Sequence, residues 1–257
     1  MMTGAVVVAA GQGRRMAERW QHSPMAGVLG APVAKQFLPL GGKPVVVHAL
    51  SVFEACDAVD AVVLVVPEAD VAYARREVVD RFALHKVRCV VAGGRRRQDS
   101  VLRGLWSLRD EGVDWEYVVV HDGVRPLVTE TLVLKVLDEA RRSGAATLGL
   151  PVRETVKVID PDGRVSLTPE RSRLWLIQTP QAFRFRLLLE AHERAAARDL
   201  EGPDDCTLVE AMGEPVRVVL GHPANIKVTE PEDLLVAEAL MGWRHDGGMG
   251  VERRNGS

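Results

Sequence analysis

Residues 5–10, an apolar run of Ala and Val, lead straight into Gly11-Gln12-Gly13-Arg14-Arg15-Met16. Small residues where a strand gives way to a helix let backbone N–H groups approach a phosphate, and the arginines add positive charge. Such a turn suits a nucleoside triphosphate, although glycines at a strand-to-helix turn also serve the turn alone. Two commoner nucleotide motifs are excluded by named residues. A dinucleotide fingerprint needs a third glycine where Met16 stands, and a P-loop needs Ser or Thr where Pro44 follows Lys43. Met16 therefore speaks against a Rossmann oxidoreductase.

Other residues could join this chemistry. Lys35 precedes a short apolar stretch and the Gly41-Gly42 turn, and reads either as a solvated charge or as a second cation for the triphosphate. Gly93-Gly94, Arg97 and Ser100 follow another apolar run; taken alone, the glycines end a strand and Ser100 caps a helix. Asp122 lies just past a buried run, where a carboxylate is costly unless paired or bound to metal. Arg125, three residues on, offers either an ion pair that ties off the loop or a contact to phosphate. Arg14 is read as solvent-facing and His121 as structural.

These residues need a scaffold that gathers strand ends. Val-rich runs at 5–10, 62–66, 87–91 and 117–120 are short and apolar on both faces, as buried parallel strands require. Helical spacing at 44–54, 69–82, 100–108 and 130–142 alternates with them, which predicts an α/β, mostly parallel, doubly wound sheet with ligands at the strand C-terminal ends. After Pro151 the rhythm changes. Residues 155–160 and 165–168 flank Pro161-Asp162-Gly163 and read as a projecting hairpin, too poor in large apolar residues for its own core and so packed on a second subunit. Helices at 184–198 and 204–212, a strand at 216–220 and a last helix from Pro231 follow, with Thr229 as its N-cap and Glu232 and Asp233 in its first turn. Residues 1–243 read as one domain with an arm at roughly 153–173, and the polar tail 244–257 as disordered.

The chain has 257 residues, a net charge of -2, 47% hydrophobic and 26% charged residues, the profile of an ordinary globular domain. Near-neutral charge gives no nucleic-acid footprint, so the Arg95-Arg96-Arg97 run calls for a small anion. Cys56, Cys89 and Cys206 show no C-x-x-C spacing, which argues against a disulfide framework or a thiolate zinc site and for the cytoplasm. The first apolar run is too short for a signal-peptide core or a membrane span.

Ala9-Ala10-Gly11, Gly13, Arg15-Met16 and then Lys35-Gln36-Phe37 resemble the signature of sugar-phosphate nucleotidyltransferases. Ala92-Gly93-Gly94, Arg97, Asp99-Ser100-Val101, His121-Asp122-Gly123-Val124-Arg125-Pro126, the segment from Pro151 to Lys157, Gln178-Thr179-Pro180-Gln181 and Asn225-Ile226-Lys227-Val228-Thr229 narrow this to a resemblance to 2-C-methyl-D-erythritol 4-phosphate cytidylyltransferases, over residues 5 to about 240. The resemblance implies one Rossmann-like nucleotidyltransferase domain with helices on both sheet faces and a protruding β-arm used in dimerisation. It implies a homodimer that uses Mg²⁺, with CTP and a sugar-alcohol phosphate as substrates.

Roles carried over by the resemblance are these. Arg15 and Lys35 steady the five-coordinate phosphorus and the departing pyrophosphate. Ala9, Ala10, Gly11 and Gly13 hold the triphosphate, and Gly93, Gly94, Arg97 and Ser100 read the cytosine. Asp122 lies near Mg²⁺ and both substrates, Arg125 faces a phosphate, and Thr179 and Lys227 surround the sugar phosphate, Lys227 with a catalytic part. Thr155 and Arg171, on the arm, complete the partner's site. Three departures stand out: a long stretch between Met16 and Lys35, read as a lid over CTP; Pro203 in place of a Thr before Asp204-Asp205; and Gly123-Val124 in place of Ala-Ala. Pro203 keeps ribitol-5-phosphate cytidylyltransferase as an alternative, and the long stretch keeps a nucleotide-binding regulatory protein as another.

Overall fold

The computed structural model describes residues 1–11, 14–20 and 34–245. The first apolar run forms β1 (Thr3–Val8), so Ala9 and Ala10 fall beyond the strand end instead of within it. α1 (Arg14–Trp20), a short hairpin of β2 (Pro39–Leu40) and β3 (Lys43–Pro44), and α2 (Val45–Ala55) follow. β4 (Ala61–Val66) leads into a helical segment over residues 68–80, α3, which passes from 3₁₀ through a single α turn to a π-helix rather than forming the regular helix its spacing predicts. β5 (Val87–Ala92), α4 (Arg97–Asp110), β6 (Tyr117–Asp122) and α5 (Glu130–Ser143) complete the alternating half.

The second half holds two long strands that the sequence pattern does not announce. They are β7 (Ala145–Pro151) and β10 (Trp175–Arg184), and between them project the arm strands β8 (Val158–Ile159) and β9 (Val165–Leu167). Asp160 Oδ1 accepts from the backbone of Asp162 and Arg164, and Gly163 takes a φ of 79°, so the arm turns where Pro161-Asp162-Gly163 predicts. α6 (Phe185–Ala197), α7 (Asp205–Glu210), β11 (Arg217–Leu220) and α8 (Pro231–His245) end the described chain. The tail from residue 246 lies outside the described residues.

Among these residues seven strands form one sheet in the order β11-β7-β10-β6-β1-β4-β5. All pairings are parallel except those of β10, which runs antiparallel to both β6 and β7. Apolar side chains fill both faces: Leu50, Phe53, Val78, Val133 and Leu137 on one, Leu105, Leu108, Phe183, Leu188 and Leu208 on the other. α4 lies close on the sheet because Gly104 faces it; a Cβ there would fall 2.4 Å from Val6 Cγ1. A third cluster joins Met16, Trp20, Leu38, Leu40, Val45, Val228 and Leu234, and so ties α1, the β2–β3 hairpin and α8 into one patch above the strand ends.

Two cap expectations are corrected. α4 starts at Arg97, so Ser100 sits inside its first turn, and the Arg96 backbone N–H is satisfied by Asp99 at 3.0 Å. Before α8, Thr229 is not the N-cap; the N–H groups of Thr229 and Glu230 both donate to Asp233, at 2.7 and 2.9 Å. No helix among the described residues is long and apolar enough to cross a membrane.

Candidate active site

The C-terminal ends of β1, β4, β5 and β6 are laced together by backbone hydrogen bonds, Ala9 N to Val65 O at 2.7 Å, Gly93 N to Val66 O at 2.7 Å and Gly123 N to Val8 O at 2.8 Å. Above them opens a cleft of about 420 Å³. Of the expected residues, Ala9, Ala10, Gly11, Lys35, Gly94, Arg97, Ser100, Asp122 and Lys227 line it. Topology explains the gathering, since parallel strands that share a C-terminal edge deliver their following loops to one place.

Two of the glycines here, Gly93 and Gly94, are steric necessities. A Cβ at Gly93 would lie 2.3 Å from Ala10 Cβ, and one at Gly94 would lie 2.3 Å from Asp99 Cβ. The end of β5 can therefore close onto the β1 turn and onto the start of α4. Ser100, buried, accepts from Gly94 N at 3.1 Å and donates to Arg96 O at 3.1 Å, which fixes this loop. A Cβ at Gly11 would approach Lys35 Cε at 3.9 Å, so the Lys35 stem passes the first glycine of the loop, and its ammonium donates to Val228 O at 3.4 Å.

Asp122 is the electrostatic centre. Its Oδ1 accepts from Arg97 Nε at 3.0 Å, its Oδ2 accepts from Lys227 Nζ at 2.8 Å, and Arg125 Nε lies 3.7 Å away. Burial opposes the charge on this carboxyl, but Arg97, Lys227 and Arg125 outweigh it and hold the group far below the usual carboxylate range. Arg97 also donates from Nη1 to Asp205 Oδ2 at 2.9 Å. Burial works against the guanidinium too, yet Asp205 and Asp122 hold it above its ordinary value. Arg125 is shifted down, by burial first, and its Nη1 donates to Asn225 O at 2.8 Å. The Asp122–Arg125 ion pair thus sits in a cluster at the edge of a cleft whose described lining holds more cations than carboxylates.

Behind Asp122 stand His121 and Thr179. Thr179 Oγ1 accepts from Asp122 N at 3.0 Å and lies 3.2 Å from His121 Nδ1, while His121 Nε2 lies 3.3 Å from Arg125 O. One proton arrangement satisfies all of these: the threonine donates to Nδ1, and Nε2–H donates to the carbonyl. The ring is neutral, its pKa lowered by burial to about 4. Thr179 therefore shapes the backbone of Asp122 from behind the cleft.

Thr155 and Arg171 are exposed on the arm, where Arg171 donates to Arg153 O at 3.0 Å, and neither lines the cleft of its own chain. Gly93 and Arg125 stand just behind the lining. Gly13, the side chain of Arg15 and most of the long stretch before Lys35 lie outside the described residues. Pro203 is exposed, directly before Asp204, whose carboxylate caps α7 by accepting from Thr207 N at 3.0 Å. Asp205 was not singled out by the sequence. The signal was the acidic pair itself, because one carboxylate suffices for the cap and leaves the second free to turn inward.

Residues 3–243 match the model of the IspD family, described as 2-C-methyl-D-erythritol 4-phosphate cytidylyltransferase. A relative of that name from Geobacter metallireducens is 42% identical over 241 residues, 94% of this chain and 98% of that protein. One from Syntrophus aciditrophicus is 44% identical over 237 residues, 92% of this chain and 94% of that protein. Among solved structures, 4-diphosphocytidyl-2C-methyl-D-erythritol synthase from Anaerococcus prevotii superposes with a TM-score of 0.75 at 30% identity and covers 94% of this chain and 96% of its own. With the cleft, its glycines and its cations all inside the matched span, the chain belongs to the 2-C-methyl-D-erythritol 4-phosphate cytidylyltransferase family.

Proposed function

We propose that the chain is a cytoplasmic, homodimeric enzyme that transfers CMP from CTP to 2-C-methyl-D-erythritol 4-phosphate, giving 4-diphosphocytidyl-2-C-methyl-D-erythritol and pyrophosphate for non-mevalonate isoprenoid synthesis. The observation that carries this is the excess of cations in the cleft lining, Lys35, Arg95, Arg96, Arg97 and Lys227, over the carboxylate of Asp122, among the described residues. In the reaction a phosphate oxygen of the acceptor attacks the α-phosphorus, a P–O bond forms, and the bond to the β-phosphate oxygen breaks. No protein nucleophile is required. Positioning supplies about 7–11 kcal/mol in well-oriented cases, and one aimed donor about 3 kcal/mol. Ala9, Ala10, Gly11, Gly94 and Ser100 take the nucleotide, Lys35 with Arg15 takes the triphosphate charge, and Asp122, Arg125 and Lys227 set the acceptor phosphate.

Mg²⁺ fits this cleft through a single protein ligand. No three His, Cys, Asp or Glu side chains gather into a metal cluster among the described residues, but an ion that arrives on a triphosphate needs only one or two carboxylates. Asp122 faces the cleft, and each of its oxygens accepts from one cation at hydrogen-bond distance and keeps a further lone pair. Bound there, Mg²⁺ would neutralise triphosphate oxygens.

Ribitol 5-phosphate, kept open by Pro203 at the exposed turn before Asp204, is the competing acceptor. Pyrophosphate release measured with both alcohol phosphates and with CTP, ATP and GTP tests the proposal. We expect CTP with 2-C-methyl-D-erythritol 4-phosphate to be turned over fastest by at least about tenfold, the scale of one well-placed contact. Faster turnover of ribitol 5-phosphate, or no preference for CTP, overturns it.

A further inference from the structure

One buried titratable side chain has no part in the chemistry above, yet is wired to it. His192, on α6, is fully buried, and its Nε2 lies 3.0 Å from Asp205 Oδ1. Asp205 is 1% exposed and accepts at its other oxygen from Arg97 Nη1 at 2.9 Å. Arg97 reaches from the cleft lining to Asp122 Oδ1 at 3.0 Å through Nε, while its third nitrogen, Nη2, is buried with no hydrogen-bond partner among the described residues. We propose that His192 is a positioning residue that fixes the Arg97 guanidinium in the cleft by holding the Asp205 carboxylate from behind.

Geometry favours this over a mere tie between helices. The imidazole is carried by a 13-residue helix anchored in the core by Leu188, Ala191 and Ala195, so its place is set by packing. Asp205 opens a helix of six residues, and the cap of that helix is supplied by its neighbour Asp204, which also accepts from Gln181 Nε2 at 2.9 Å. With capping assigned to Asp204, the Asp205 carboxylate serves His192 and Arg97 alone among the described residues. Arg97 is long and rotamer-rich, and a guanidinium shared between two carboxylates on opposite sides has its plane fixed by both. Loss of the imidazole frees the Asp205 carboxylate to rotate and the guanidinium to shift toward Asp122, away from its cleft orientation.

This rests on the reading of Arg97 as a nucleotide contact, and the test separates the two. Steady-state constants are measured for His192→Phe, His192→Gln, Arg97→Met and the double variant His192→Phe with Arg97→Met, alongside thermal unfolding of each. We expect His192→Phe to raise KM for CTP about tenfold with kcat within about threefold, and His192→Gln, which keeps a donor, to stay within about twofold of wild type. In the Arg97→Met background the Phe substitution should change KM by less than about twofold, because residues that act through one another are not additive. An unchanged KM in His192→Phe, an equal factor in both backgrounds, or no rescue by Gln overturns the proposal. If His192→Phe does not fold, Asp205→Asn carries the same readings. A normal KM for CTP in Arg97→Met sinks the nucleotide reading of Arg97 and this proposal with it, whereas an impaired Arg97→Met with a silent His192→Phe sinks this proposal alone.

Discussion

Asp122 and His121 are sequence neighbours with opposite electrostatic fates. Asp122 keeps its charge under burial because Arg97, Lys227 and Arg125 face it. Among the described residues His121 meets no carboxylate at hydrogen-bond distance; its nitrogens face Thr179 and the Arg125 carbonyl, and burial holds it neutral with a pKa of about 4. An unfolded imidazole binds its proton near the ordinary value of about 6.5, so between about pH 6.5 and 4 the unfolded state holds more protons than the folded one. Stability is therefore lost as pH falls through this window. The depressed carboxyls Asp122 and Asp205 act lower, since their contribution is complete above the unfolded carboxylate value near 3.9 and is lost only below it. We expect His121→Gln to remove the histidine's share: between pH 7 and pH 5 its unfolding free energy should fall by about 2 kcal/mol less than that of wild type, at about 1.4 kcal/mol per pH unit. Urea unfolding at several pH values reads this directly, and parallel curves for the two proteins would rule it out.

At the scale of elements, the cleft depends on how closely α4 lies against the sheet, because Arg97 and Ser100 sit in its first turn. Gly104 faces Val6 and Val65 from the middle of that helix, and a Cβ would stand 2.4 Å from Val6 Cγ1 and 3.2 Å from Val65 Cγ2. Alanine gains about 1 kcal/mol in helix propensity, but overpacking against buried, β-branched residues of central strands costs about 1–3 kcal/mol. Gly104→Ala should thus be net destabilising, by up to about 2 kcal/mol in denaturant titration; a neutral or stabilising result would show that α4 can lift without cost. Much of this layering was readable in advance. The Val runs of β1, β4, β5 and β6 are apolar on both faces and announce parallel strands, and the glycines after β1 and β5 mark where those two strands end. β7 was unreadable because its residues are small; Gly149 has to be, as a Cβ there would lie 2.9 Å from Val218 Cγ1 and 3.3 Å from Trp175. β10 carries Pro180, which argues against an interior strand, but the register shifts between Gln178 and Gln181, so the ladder needs no N–H there. The Arg97–Asp205–His192 chain was invisible for another reason: its members come from α4, α7 and α6, and only tertiary packing makes them neighbours.

For the whole molecule, the arm is the part that the fold of one chain leaves unexplained. β8 and β9 are two and three residues long and, among the described residues, pair with each other alone, and an isolated pair of that size is not stable in water. Their Val158, Ile159, Val165 and Leu167 are 44–57% exposed, and Trp175, Leu176 and Ile177 at the base of the arm continue the apolar surface. Within one chain, Thr155 and Arg171 reach no part of the cleft lining. The proposed second copy of the chain, covering this surface and lending its arm to the neighbouring cleft, would account for all three facts. Subunit mixing discriminates this from an arm that serves its own chain. Arg15→Ala and Arg171→Ala subunits, each inactive as a pure dimer, are combined in equal amounts. If the arm crosses, one site of every mixed dimer joins an intact Arg15 to an intact Arg171 while the other has lost both. Random pairing makes half the dimers mixed, so activity should recover to about a quarter of wild type, as the two-fold symmetry of the pair dictates. If each arm serves its own chain, both sites of the mixed dimer lack one arginine, and mixing restores nothing.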